Sequence, residues 1–131
     1  MVAAGAAIAL AGCGGGSSSS PTSPSGGGSG SGSAGPSGAT ITIGSNGAVS
    51  PATVTITVGQ SVTFVNNDSR VHDMASNPHP AHTDCPAMNA AGNLTAGQTK
   101  LTNAFTTART CGFHDHSNPD NASLMGTVII Q

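Results

Sequence analysis

From position 39 onward the chain reads as a series of short alternating runs. In "ATITIG" Ile41 and Ile43 share a face, in "ATVTITVG" Val54, Ile56 and Val58 do, and in "QSVTFVNN" Val62 and Phe64 do. "KLTNAFTT" and "GTVIIQ" continue the same Thr-, Val- and Ile-rich vocabulary. Period-two alternation of β-branched residues predicts half-buried strands. Asn46-Gly47, Val58-Gly59 and Ala96-Gly97 mark turns between them. No stretch carries apolar residues at helical spacing over the length of a helix. The prediction for 39–131 is therefore all-β, an antiparallel Greek-key β-sandwich. The pattern breaks across 70–97, which is Pro-rich and poor in alternation. It reads as one long functional loop.

Ahead of the strands lie two segments of different character. Residues 1–12, "MVAAGAAIALAG", form a small apolar run. It is shorter than the roughly 20 residues a bilayer requires, and it reads as the core of a signal peptide. The string Leu10-Ala11-Gly12-Cys13 resembles the bacterial lipobox, which implies lipidation of Cys13. From 14 to 38 only Gly, Ser, Pro, Thr and Ala occur. Such a segment has nothing to bury, and it is expected to be a tether reaching roughly 25–30 Å. Signal peptide 1–12, lipidated Cys and linker 13–38 and domain 39–131 together describe a membrane-anchored lipoprotein. Its compartment is extracytoplasmic, periplasmic or cell-surface, and permits disulfides.

Charge narrows the function. Only 6% of the 131 residues are charged, against about 25% in ordinary globular proteins. Lys and Arg number three, the net charge is -2, and Trp and Tyr are absent. Binding to nucleic-acid phosphates or stacked bases is excluded on those grounds. No Ser-His-Asp order, phosphate loop or paired carboxylates point to an enzyme. The histidines remain: His72, His79, His82, His114 and His116. His114 and His116 are spaced i, i+2, so an extended backbone puts both rings on one face about 6.5–7 Å apart. Asp115 then faces away, unless the strand has ended and the carboxylate turns toward the same ion. His79 and His82, in "PHPAH", are further candidates. Met74 and Met88 read as core filler, Asp73, Asp84 and Asp120 as turn or loop residues, and Lys100 and Arg109 as surface charges.

The run "ATVTITVGQSVTFVNNDSRVHDM" resembles the opening of a cupredoxin domain, whose "VTF-V-N-N-D" strand is followed by a metal-binding histidine, here His72. "AGQTKLTNAFTTARTCGFHDHSNP" and "LMGTVII" resemble that family's last strands and ligand loop. The likeness covers nearly all of 41–130 and implies a cupredoxin-like sandwich with copper as cofactor. It is closer still to cupredoxin-like sequences carrying "DPHPTHTDLP" and "GTWKYHDHLNP", matched here by "NPHPAHTDCP" and "ARTCGFHDHSNP". The favoured ligand set is His72, His114 and His116, with His79, His82 and Asp115 as additional candidates. Imidazole sites suit Cu(II), Zn(II) or Ni(II), with Cu(II) the tightest. The implied function is copper handling or delivery, with a redox or copper-transfer protein as a partner. The alternatives are a blue-copper electron carrier using His72, Cys111, His114 and Met125, and a metal-free interaction module.

The resemblance leaves Cys111 open. In one register it is the copper thiolate of Cys111-Gly112-Phe113-His114. In the other it is a core residue, the ligand-cysteine position falls on Asp115 and the axial position on Leu124. The closely similar sequences carry an aliphatic and an aromatic residue in place of Cys85 and Cys111. With Cys13 lipidated these are the two remaining thiols, and a Cys85–Cys111 disulfide is expected.

Overall fold

The structure is a computed structural model and describes residues 33–131; the expected signal peptide, Cys13 and most of the linker lie outside them. Nine strands form two sheets. They are β1 (Ser37–Ile43), β2 (Val49–Ser50), β3 (Thr53–Ile56), β4 (Ser61–Asn66), β5 (His72–Ser76), β6 (Gly92–Leu94), β7 (Thr99–Leu101), β8 (Arg109–Asp115) and β9 (Gly126–Ile130). Two short 3-10 helices, Pro86–Ala90 and Ala122–Leu124, are the helical elements among the described residues. One sheet has the order β2-β1-β4-β7 and the other β3-β9-β8-β5-β6. The expected all-β sandwich is present. Each sheet is mixed, because β1 pairs parallel with β4 and β3 parallel with β9. Parallel neighbours cannot be joined by a hairpin, so the chain crosses between sheets to form them.

The alternating apolar positions meet between the sheets. Ile41, Ile43, Val54, Ile56, Val62, Phe64, Val128 and Ile130 are all buried. Phe64 and Phe113 cross this layer edge to face at a ring separation of 5.4 Å, a favoured aromatic geometry. Met74 and Met88 are fully buried core residues. Val58, expected on the buried face of its run, is 48% exposed. The strand ends at Ile56, and the turn at Gly59, with φ of 92°, carries Val58 out of the sheet.

The segment expected as one loop across 70–97 contains β5, a 3-10 helix and β6. Its lack of alternation has a physical cause. β5 lies between β8 and β6, and His72, Met74, Ala75 and Ser76 are buried on both of its faces. A strand covered on both sides has no period-two signature. Asn66, itself fully buried, shapes the turn into β5. Its side-chain amide donates to the Arg70 and Leu94 carbonyls, and its oxygen accepts from the Asp68 N–H. Of the expected loop, 77–85 remains irregular; it carries His79 and His82.

Candidate metal centre

Strand register decides which histidines meet. Opposite β8, Met74 pairs with Asp115, Ala75 with His114 and Ser76 with Phe113. Phe113, Asp115, His72, Met74 and Ser76 therefore share the core face of this sheet, and His114, Gly112 and Ala75 the outer face. The 77–85 loop leaves β5 and covers that outer face. It brings His79 and His82 over His114 and His116. One ring nitrogen from each of these four residues lies within 4.8 Å of every other. Metal–imidazole bonds of about 2.0–2.1 Å place opposite ligands about 4 Å apart. Closure onto one ion thus needs ring shifts of less than about 1 Å.

Each ring is held differently. His114 is 2% exposed, and its Nδ1 lies 2.8 Å from Asn77 Oδ1. Its Nε2 is buried with no hydrogen-bond partner. A buried imidazole nitrogen without a partner is costly unless a ligand completes it, and His114 is one of the four clustered histidines. His82 Nε2 and His116 Nδ1 are 3.0 Å apart. His79 packs tilted or edge-on against the group, its ring 4.9 Å from His116, 5.5 Å from His114 and 5.6 Å from His82. Burial, followed by repulsion from neighbouring histidines, lowers the pKa of both His82 and His114 from the ordinary 6.5. The same effects favour neutral imidazole, the form that ligates metals.

His82 has φ of 50° and is the one non-glycine residue in the left-handed region among the described residues. That conformation is unusual for any side chain with a Cβ. Its backbone is gripped on both sides. The N–H donates to the Pro78 carbonyl at 2.7 Å, and the carbonyl accepts from Ser76 Oγ and the Asn89 amide, each at 2.9 Å. Asn89 Oδ1 in turn accepts from the Ser76 N–H. The loop end is pinned by an Asp84–Arg109 ion pair at 2.6 Å and by the Asp84 N–H donating to the Asn77 carbonyl. Arg109, expected as a surface charge, and Asp84, expected as a turn or loop residue, thus tie the loop to β8.

The expected ligand set is redrawn by this geometry. His114 and His116 come together as anticipated, and His79 and His82 join them. His72 is on the other face, 1% exposed. Its Nδ1 meets Asp115 Oδ2 at 2.8 Å and its Nε2 meets Asp68 Oδ2 at 3.0 Å. Neither ring nitrogen is left for an ion. Asp115 points away from the cluster, as strand parity requires, and also accepts from the Asp73 and Ser117 N–H groups. Burial alone would raise its pKa. The hydrogen bonds from His72, Asp73 and Ser117 outweigh that and hold it below the ordinary 3.8. The Arg70 guanidinium, and then His72, hold the Asp68 carboxyl well below 3.8. Asp68 drew no attention in the sequence beyond its place in the "NND" string.

Cys85 and Cys111 form the expected disulfide, with Cα atoms 5.9 Å apart and both residues buried. The thiolate alternative for Cys111 therefore loses its sulfur. Met125 is 37% exposed beside the second 3-10 helix, outside the histidine cluster, and Leu124 is buried beside it. A cleft of about 360 Å³ opens against His82 and His116, lined also by Asp73, Met74, Ala81 and Asn89. A second cleft, of about 250 Å³, lies by the disulfide among Asp84, Phe105 and Arg109 and holds no histidine. The first cleft reaches the rings of His82 and His116, and His79 is itself exposed.

No protein-family model matches this chain, and no curated protein matches it in sequence. Solved structures do. A purple cupredoxin from Nitrosopumilus maritimus superposes with a TM-score of 0.55 at 21% identity, over 71% of this chain and 99% of the other. Plastocyanin from the fern Dryopteris crassirhizoma gives 0.55 at 18% identity, over 70% and 99%. Auracyanin from the photosynthetic bacterium Roseiflexus castenholzii gives 0.54 at 18%, over 74% and 99%. At these identities the likeness is one of fold, and the chain is a cupredoxin-like β-sandwich that carries a four-histidine cluster capable of holding a metal ion.

Proposed function

We propose that this protein binds copper outside the cytoplasm through His79, His82, His114 and His116, and that it serves in handling or delivery of the ion. The observation that carries the reading is the buried, partnerless Nε2 of His114, on a ring grouped with three further imidazoles. Four imidazole nitrogen donors suit Cu(II) above Zn(II) or Ni(II). Copper bound there would supply a redox-active centre without a thiolate. The histidines hold it, the loop 77–85 supplies two of them, and the cleft beside His82 and His116 leaves the site open to an acceptor protein. Binding, not catalysis, is the role this arrangement favours.

Optical and paramagnetic spectra of the Cu(II)-loaded protein test the reading. The expected result is one equivalent of copper, a pale solution and nitrogen hyperfine structure. An intense blue or purple band would restore the thiolate electron carrier. Absence of uptake would leave the metal-free interaction module.

The lipobox-like Leu10-Ala11-Gly12-Cys13 and the Gly/Ser/Pro-rich run after it support membrane attachment through Cys13. Mass spectrometry of membrane-bound mature protein should find Cys13 acylated, and an unmodified Cys13 would reject the anchor.

A further inference from the structure

Asn77 stands where three parts of the site meet. It follows directly on β5, its N–H donates to the Gly112 carbonyl at 3.0 Å, and its carbonyl accepts from Asp84 at the far end of the loop. Its side-chain oxygen is 2.8 Å from His114 Nδ1. An amide oxygen only accepts, so the proton of a neutral His114 must sit on Nδ1. The lone pair is then left on Nε2, the atom that has no partner. The other half of the amide lies against Gly112, where a Cβ would collide with Asn77 Nδ2. Gly112 thus provides the space in which this amide fits.

We infer that Asn77 is a positioning residue of the four-histidine site, fixing the Nδ1–H tautomer of His114 and aiming its Nε2 at the ion, with Gly112 as the residue that makes room for it. The metal-binding part of this inference rests on the function proposed above; the tautomer part does not. Groups that orient ligating histidines through the second ring nitrogen contribute about tenfold to hundredfold in metal affinity. Asp in place of Asn77 keeps an acceptor at the same reach, whereas Ala removes it.

The test pairs two measurements on the protein and its Asn77→Ala, Asn77→Asp and Gly112→Ala variants. The first is long-range proton–nitrogen NMR of the metal-free protein. It should show His114 protonated on Nδ1 in the parent and in Asn77→Asp, and mixed tautomers in Asn77→Ala. The second is Cu(II) titration. Asn77→Ala should bind at least about tenfold more weakly, Gly112→Ala should follow it, and Asn77→Asp should recover most of the loss. A parent His114 protonated on Nε2 overturns the inference, as does an Asn77→Ala variant with unchanged tautomer and affinity. A parent with the Nδ1–H tautomer that takes up no copper sinks the proposed function and the metal-binding part of this inference, and leaves the tautomer part standing.

Discussion

His72 and His114 lie on opposite faces of one sheet: His72 turns inward to Asp115 at 2.8 Å, while His114 turns outward to the loop that carries His79 and His82. The two residues should therefore fail differently. His72→Ala removes one hydrogen-bond partner from each of two buried carboxylates, Asp68 and Asp115, and losing the partner of a buried polar group costs about 1–3 kcal/mol. Urea unfolding should read that loss, while the copper affinity of the surviving folded protein stays within about threefold, since no ligand is removed. His114→Ala should do the reverse, weakening Cu(II) by at least about tenfold with a smaller stability change. If copper binding follows His72 and ignores His114, the outer-face site is wrong.

The same inward network sets the acid limb of stability. Asp68 is held well below its ordinary pKa of 3.8 by Arg70 and then His72. A carboxyl whose folded pKa is depressed binds fewer protons folded than unfolded. Its contribution is complete above 3.8 and is lost as pH falls through the lowered folded value. Stability should decline below about pH 4, and Asp68→Asn should flatten that decline while lowering stability at neutral pH. Urea midpoints from pH 2 to pH 7 check it. An Asp68→Asn profile parallel to the parent's would remove Asp68 from the acid transition.

The sandwich was legible because Ile41 and Ile43, Val54 and Ile56, and Val62 and Phe64 are buried pairs separated by the less buried Thr42, Thr55 and Thr63. β5 was not, because a strand covered on both faces hides its period. The site was half legible. The i, i+2 spacing of His114 and His116 keeps the two rings close where β8 ends, at Asp115. Which other histidines join them depends on the register of β5 against β8, and the sequence pattern of a doubly buried strand does not encode it. The resemblance placed His72 at the ion; the carboxylates at 68 and 115 claim both of its nitrogens instead. Asn77, Ser76 and Asn89 carry no sequence signal because they act through hydrogen bonds that form only once the chain has folded, and no local spacing marks them.

The Cys85–Cys111 bridge joins the two segments that carry the histidines, three residues beyond His82 and three before His114. It closes a sequence separation of 26, worth about 3 kcal/mol on the chain-entropy model. Replacing both cysteines by valine keeps the buried positions apolar and removes the link. The double variant should lose about 3 kcal/mol in urea unfolding and bind copper more weakly, because the 77–85 loop must then be ordered by its remaining contacts. Thiol titration of the unfolded, unreduced parent should find neither of these cysteines free. Two reactive thiols there would reject the bridge.

His82 offers the sharpest separation of function from folding. Its φ of 50° suits glycine better than any residue with a Cβ. The Ser76 and Asn89 hydrogen bonds to its carbonyl hold the turn whatever the side chain is, so the backbone demand persists in a variant. His82→Ala and His82→Gly both delete one imidazole and should weaken Cu(II) binding alike, by at least about tenfold. Their stabilities should part. The alanine variant keeps the left-handed penalty and the glycine variant escapes it, a difference of about 1 kcal/mol in favour of glycine after the flexible unfolded chain is counted. A glycine variant no more stable than the alanine variant would show that the turn relaxes once the ring is gone. A glycine variant that is stable yet binds copper as the parent does would take His82 out of the site.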